Sequence, residues 1–355
     1  GMLVSGRAAA EAGRWATFGH DHGNRRLNPD ADLAGDSATE QWVLSVGTPA
    51  GSDVIVVDET VYFTDRNGIT YRVTPSGETS TYRAGAQTDT DDETHTPAPT
   101  VEGNHLYLGG LNGTINAIDL TTGETTWTYE TEGPVYAPPI VRGEQLYVGC
   151  DEGVVYAVDR PSGDEVWRYG TDGTVTTAAC VIDDTLIIAA QDGTIHAVAS
   201  TSGSGEGIAS MDGDVHAAPV ANSSRVYVTS TQGVVQAITL DPTETRWTQE
   251  FDAPVRGTPT LTAEGLYVGT ADGSIAALDP TSGERRWETT VEGGIQTGLA
   301  TAADILLVGT DTGRILAFDT EDREERWQFD AGTAISTPLS VAGELLYFGT
   351  EDGSV

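Results

Sequence analysis

Four side chains stand out for their chemistry and their spacing. Tyr136, His216, Arg256 and Gln296 recur at multiples of 40 residues, each directly after a β-branched residue: Val135, Val215, Val255 and Ile295. Thr96, Thr176 and Ser336 continue the series. A phenol, an imidazole, a guanidinium and a carboxamide brought together offer one cation and several donors and acceptors. Such a patch could hold a small anion or dock a partner peptide. Alternation along an extended chain puts the apolar neighbours and the variable set on opposite faces. If the valines pack between sheets, the variable set lines the mouth of a channel. The other reading of the same residues is a water-filled funnel with no ligand.

Other reactive groups are sparse. No Ser–His–Asp arrangement and no metal-ligand spacing emerges, so no catalytic residue and no metal site is assigned. His20 and His22 in GHDHGN flank one Asp without further ligands. The acidic loop Thr88–Glu93 (TDTDDE) could bind a cation through clustered carboxylates, or be a solvated charge run. The DEG, ADG and EDG turns recur in phase where hairpins are expected, which reads as turn chemistry. Cys150 and Cys180 are the only cysteines, and the sequence leaves open whether they are two buried thiols or a disulfide.

What must position these residues is a repeat. LYVGCDEGVVYAVDRPSGDEVW (Leu146–Trp167) returns as LYVGTADGSIAALDPTSGERRW (Leu266–Trp287), 120 residues later. A turn glycine marks the phase at Gly68, Gly113, Gly153, Gly193, Gly233, Gly273, Gly313 and Gly353; after a first step of 45 every step is 40. Trp127, Trp167, Trp247, Trp287 and Trp327 keep the same beat, Gly207 stands where a sixth Trp belongs, and Trp42 is an extra copy. Within residues 134–170, VYAPPIV, EQLYVGC, VVYAVD and DEVWRYG read as four short strands between glycine-bearing turns. Four strands per unit of about 40 residues, repeated, is the pattern of a β-propeller.

The count predicts an all-β, eight-bladed β-propeller of four-stranded antiparallel blades. Residues 1–38 read as an N-terminal extension and residues 39–355 as one propeller domain. The eighth unit stops at EDGSV, so TEQWVLSV (Thr39–Val46) is expected as the outer strand of the last blade, tying the ring shut and removing a sheet edge. Its third strand would come from residues 12–19 or from natural sequence beyond Val355.

Composition narrows the setting. The formal net charge is −36, from 54 acidic and 18 basic residues, and every basic residue is Arg. No basic stripe exists to meet phosphates, which argues against nucleic acid and anionic membrane surfaces. Acid spread through nearly every turn, with lysine absent, resembles proteins adapted to molar salt, where self-repulsion is screened, and implies a halophilic archaeal source. No stretch of 18 apolar residues is present, so no transmembrane helix is expected. No signal peptide is visible in residues 1–14, although the leading Gly-Met is consistent with a trimmed precursor.

AIDLTTGETTW (Ala117–Trp127), AVDRPSGDEVW (Ala157–Trp167) and ALDPTSGERRW (Ala277–Trp287) share the form Ala-x-Asp-x-x-Thr/Ser-Gly-x-x-x-Trp. This resembles the tryptophan-docking repeat of the pyrroloquinoline-quinone-type propellers. That superfamily includes quinoprotein alcohol dehydrogenases and the propeller lipoprotein of the outer-membrane barrel-assembly machinery. WATFGHDHGN (Trp15–Asn24) is similar to the start common in this group. Other copies decay: AVASTSGSGEG has lost Asp and Trp, AITLDPTETRW the Asp–Gly pair, and AFDTEDREERW the Gly, so those blades should dock less firmly. The resemblance implies that the enzymes need a bound quinone, calcium, a catalytic Asp and often a vicinal Cys pair. This chain lacks the pair and the long insertions that cover a pocket, so no cofactor is expected. The reading is a non-catalytic binding or assembly scaffold for an unidentified protein or peptide partner, outside the cytoplasm or at the cell surface, with a lipid anchor conceivable in a full-length precursor. The rivals are a quinone-dependent dehydrogenase and the sensor domain of a larger signalling chain.

Overall fold

The computed structural model describes residues 27–28, 33, 37–84 and 96–355. His20, His22, the loop Thr88–Glu93 and residues 12–19 lie outside the described residues. Seven sheets of four consecutive antiparallel strands fill residues 55–83, 100–130, 140–170, 180–210, 220–250, 260–290 and 300–330. Each is a meander. In the third blade the strands are Ile140–Arg142, Gln145–Gly149, Val154–Asp159 and Glu165–Gly170. The two middle strands are almost wholly buried and the fourth alternates between exposed and covered, as expected where only one face is packed.

The expected eight blades are corrected to seven. The last repeat forms only a two-stranded sheet, Ser340–Ala342 with Leu345–Tyr347, extended by isolated bridges Ile335↔Thr350 and Ser45↔Ser354. Turn glycines count repeats, whereas a blade needs ladders, and Gly353 is followed by just Ser354 and Val355 in this sequence. The strand expected over Thr39–Val46 is also shorter. Its contact with the last repeat is three backbone hydrogen bonds: Leu44 N to Val355 O at 2.8 Å, Val355 N to Leu44 O at 2.9 Å, and Val46 N to Gly353 O at 2.9 Å. Alternation still governs it. Trp42, Leu44 and Val46 are partly buried while Val43 is 52% exposed. These three pack into a cluster that joins Phe63 and Val56 of the first blade, Leu307 and Trp327 of the seventh, and Tyr347. Separately, Leu27–Asn28 pairs in parallel with Thr301–Ala302 on the first strand of the seventh blade.

Neighbouring sheets meet face to face, so each seam depends on side chains and crossover backbone. The phase-marking glycines lie where a crossover carbonyl comes close: Gly233 has φ +79°, and a Cβ there would fall 2.3 Å from Phe251 O. At the outer end the Tyr of the second strand stacks obliquely on the Trp of the fourth. Ring centroids are 6.0 Å apart for Tyr107–Trp127, 5.8 Å for Tyr147–Trp167 and 5.9 Å for Tyr227–Trp247. The indole then donates across the seam to a turn carbonyl of the next blade: Trp127 to Arg160 O at 2.9 Å, Trp167 to Ser200 O at 2.8 Å, Trp247 to Pro280 O at 3.2 Å. The Tyr227 hydroxyl donates to Pro280 O as well, at 3.0 Å. The Trp167 ring also covers Gly203, where a Cβ would come within 2.7 Å of it.

An Asp builds the accepting turn. Asp279 Oδ1 accepts the amides of Thr281 and Ser282 at 2.8 and 2.9 Å. The turn at Ser200, which has no Asp, keeps its shape through Gly203 N to Ala199 O at 2.9 Å, so it still receives Trp167. Neither cysteine forms a disulfide; Cys150 and Cys180 are buried in different clusters.

Two outcomes follow. Trp42 meets Tyr347 at 6.2 Å, much as the blade tryptophans meet their tyrosines. Removing a half-buried indole should cost about 2–3 kcal/mol, so Trp42→Ala is expected to lower the urea midpoint clearly and Val43→Ala hardly at all. Second, the Arg286 guanidinium on Oδ2, with the Ser282 and Thr281 amides, holds the Asp279 carboxyl down to about 2. A depressed carboxyl contributes stability above its unfolded value, about 3.9, and loses it as pH falls through the folded value. Asp279→Asn should therefore melt below the parent at pH 6, with the gap closing by pH 2 at fixed ionic strength.

Candidate functional site

Each crossover, from the outer strand of one blade to the first strand of the next, is clasped on both sides. In the third blade, Val135 N donates to Gly110 O of the preceding blade at 3.1 Å, and Asp151 N of the blade's own turn donates to Pro134 O at 2.9 Å. The same pair of bonds recurs at Val175, Val255, Ile295 and Ile335. Val135, Val175, Val215, Val255, Ile295 and Ile335 are all buried. A buried residue pinned by its amide forces its successor's side chain toward the opposite side.

That successor is the predicted set. His216, Arg256 and Gln296 are exposed, and Tyr136, Thr176 and Ser336 are partly so. Their immediate partners differ from blade to blade. His216 Nε2 lies 3.5 Å from Gln191 Nε2, and Gln296 Nε2 donates to Asp311 Oδ2 at 3.3 Å. Ser336 Oγ donates to Ala50 O at 3.4 Å. His216 and Gln296 thus lean on the turn of an adjoining blade rather than on another member of the set. The His216 crossover is also displaced by one residue: Val215 bonds to Gln191 O, where the period would give residue 190.

The surroundings are acidic. The turn bonds bring Asp151, Asp272, Asp311 and Glu351 beside Pro134, Pro254, Gly294 and Ala334, at the crossovers themselves. Arg66 on this side is already paired with Glu351, Nη1 to Oε2 at 2.9 Å. A carboxylate-rich face repels a free anion, so the small-anion reading of the four residues is disfavoured and a polypeptide with donors to offer is the better guest.

The residues were also tested for a quinone and its metal. Among the described residues no three of His, Cys, Asp and Glu converge on a point where a metal ion could sit. Cys150 and Cys180 belong to separate packing clusters and cannot act as an adjacent pair. The donor set does not fit that cofactor.

Sequence reasoning missed a cleft of ≈ 550 Å³ between the outer strands of the third and fourth blades, lined by Tyr169, Asp172, Thr194, His196 and Gly207. His196 is 7% exposed. Its Nδ1 lies 3.0 Å from the Tyr169 hydroxyl and its Nε2 3.0 Å from Thr194 Oγ1. Burial pushes the imidazole below its usual range, against the pull of Asp192 and Asp172. The signal was Gly207 itself, a glycine where the repeat writes Trp.

No curated protein matches the chain by sequence. The sequence pattern of the family described as outer membrane protein assembly factor BamB matches residues 31–273 and 271–355. Among solved structures, BamB from Moraxella catarrhalis superposes with a TM-score of 0.72 at 21% identity, covering 89% of this chain and 95% of that one. A europium-containing methanol dehydrogenase gives 0.81 at 14% identity, covering 96% and 90%. The quinohemoprotein alcohol dehydrogenase of Pseudomonas putida gives 0.79 at 14% identity, covering 97% and 77%. These likenesses carry the propeller fold, and with the family pattern running through nearly every repeat, the chain belongs to the family of PQQ-like repeat propellers described as outer membrane protein assembly factor BamB.

Proposed function

We propose that the protein is a non-catalytic binding scaffold whose crossover face engages a polypeptide partner. The observation that carries this is the contrast within each crossover: the clasp and the buried valine are constant, while the exposed next residue changes at every blade. Constant framework with variable exposed side chains is how a rigid ring presents a specific surface. Tyr136, His216, Arg256 and Gln296 are the residues proposed to make the contact. Membership of the BamB family supports a protein partner over a small substrate. The dehydrogenase reading draws on two neighbours at 14% identity, which carry the fold alone, and the cysteine positions speak against it.

We further propose an extracytoplasmic setting in molar salt, the latter supported by 54 acidic residues against 18 arginines. No helix among the described residues is long and apolar enough to cross a membrane.

The partner test compares the parent with a variant carrying Tyr136→Ala, His216→Ala, Arg256→Ala and Gln296→Ala in affinity capture from cells kept in high salt. A protein held by the parent and lost by the variant is expected. Identical capture by both would overturn the assignment to this face, and dye-linked alcohol oxidation with added quinone would favour the dehydrogenase. The salt reading is checked by thermal melts in 0.1 M and 3 M KCl. Above about 1 M the Debye length falls to about 3 Å, so the midpoint should rise in 3 M; an equal or lower midpoint counts against it.

A further inference from the structure

The cleft at His196 has a filled counterpart one blade earlier, and the counterpart shows what it is shaped to hold. At the seam between the second and third blades, Tyr129 and Tyr156 meet edge to face, with centroids 5.5 Å apart. Arg168, paired with Tyr156 across the outer strands, lays its guanidinium 5.6 Å from the centre of the Tyr156 ring. Its Nη1 meets Glu132 Oε1 at 2.6 Å and its Nη2 meets Glu165 Oε2 at 2.7 Å. One cation thus closes the seam, held by an aromatic face and two carboxylates.

At the next seam most of that frame is repeated. Tyr169 and His196 meet edge to face at 5.7 Å. Asp172 stands one period after Glu132. The cation is missing. In the strand pairing the partner of His196 is Gly207, because the bulge that lies between Ala157 and Val158 in the third blade has moved to between Ile195 and His196 in the fourth. Gly205 stands where Glu165 would be, opposite Val198. Two glycines therefore leave open the space that Arg168 and Glu165 fill one blade before.

We propose that this cleft binds the guanidinium group of an arginine side chain from a partner polypeptide. Asp172 supplies the carboxylate, and Tyr169 and His196 supply the aromatic floor. A neutral His196, favoured by its burial, admits a cation where a charged one would repel it. Asp192 adds negative charge beside the imidazole. Lysine is the poorer guest, since its point charge lacks the planar surface that stacks on a ring. The proposal is independent of the crossover face, because the two sites share no residue and are tested by different variants.

The site can be filled from within. Gly207 is exposed, and a Cβ there meets only His196, at 3.9 and 4.0 Å, an ordinary contact. Gly207→Arg should fold and place its own guanidinium in the cleft. The probe is acetyl-Gly-Arg-Gly-amide, titrated while following the His196 Cε1–H signal in histidine-labelled protein, with His196→Gln for assignment. A saturable shift is expected in the parent, none in Gly207→Arg, and about tenfold weaker binding in Asp172→Asn, the measure of one charge-assisted hydrogen bond. The lysine peptide should bind more weakly. No shift in the parent, or an unchanged shift in a folded Gly207→Arg, would overturn the site. Tighter binding of free arginine than of the blocked peptide would overturn the assignment to a polypeptide.

Discussion

The ring rests on one backbone carbonyl in each outer turn, the one that takes a proton from the preceding blade's indole. Adjacent sheets share no ladder, so without such a contact the blades would be held by side-chain packing alone. Pro280 O shows the economy of the arrangement: it accepts from Trp247 and from Tyr227 together. The Asp that shapes the turn, the glycine under the indole and the Tyr beside it all serve to put that oxygen and those two donors in one place. At the inner end the seam is closed by hydroxyls. Thr100 Oγ1 donates to Pro139 O at 2.6 Å and Thr260 Oγ1 to Leu299 O at 2.8 Å, each bridging two first strands.

Much of this was legible because the repeat writes it in residues with narrow conformational roles. Glycine at a positive φ, Asp at a turn and Trp at a fixed distance each have few structural explanations, so seven sheets could be read without any pairing information. The blade count failed because it was taken from turns. Gly353 is a true turn glycine with Gly353 N bonded to Thr350 O, yet the ladder that should follow it is two residues long. Local turn geometry is a property of four residues; a blade is a property of four strands.

The candidate sites divide in the same way. The exposure of His216, Arg256 and Gln296 followed from simple alternation against buried neighbours. Their separate engagement with Gln191 and Asp311 did not, since that depends on which turn each crossover passes. The cleft at His196 was illegible for a sharper reason. Counting by forty sets residue 208 opposite 168, whereas the displaced bulge makes Gly207 the strand partner of His196. A one-residue change of register exchanges which side chain faces the seam, and periodicity alone cannot see it.

The reciprocal bonds between Leu44 and Val355 make the fold nearly a circle. A linear stack of repeats ends in two faces that must each be capped, and every unit then differs by its distance from an end. Here the first and seventh blades share one packing cluster with the last repeat, so every blade has neighbours on both sides. Where the covalent chain is cut becomes a secondary matter. Joining residues 44 and 355 and opening the polypeptide at another crossover would leave the order of blades around the axis unchanged, and only the location of the free ends would move.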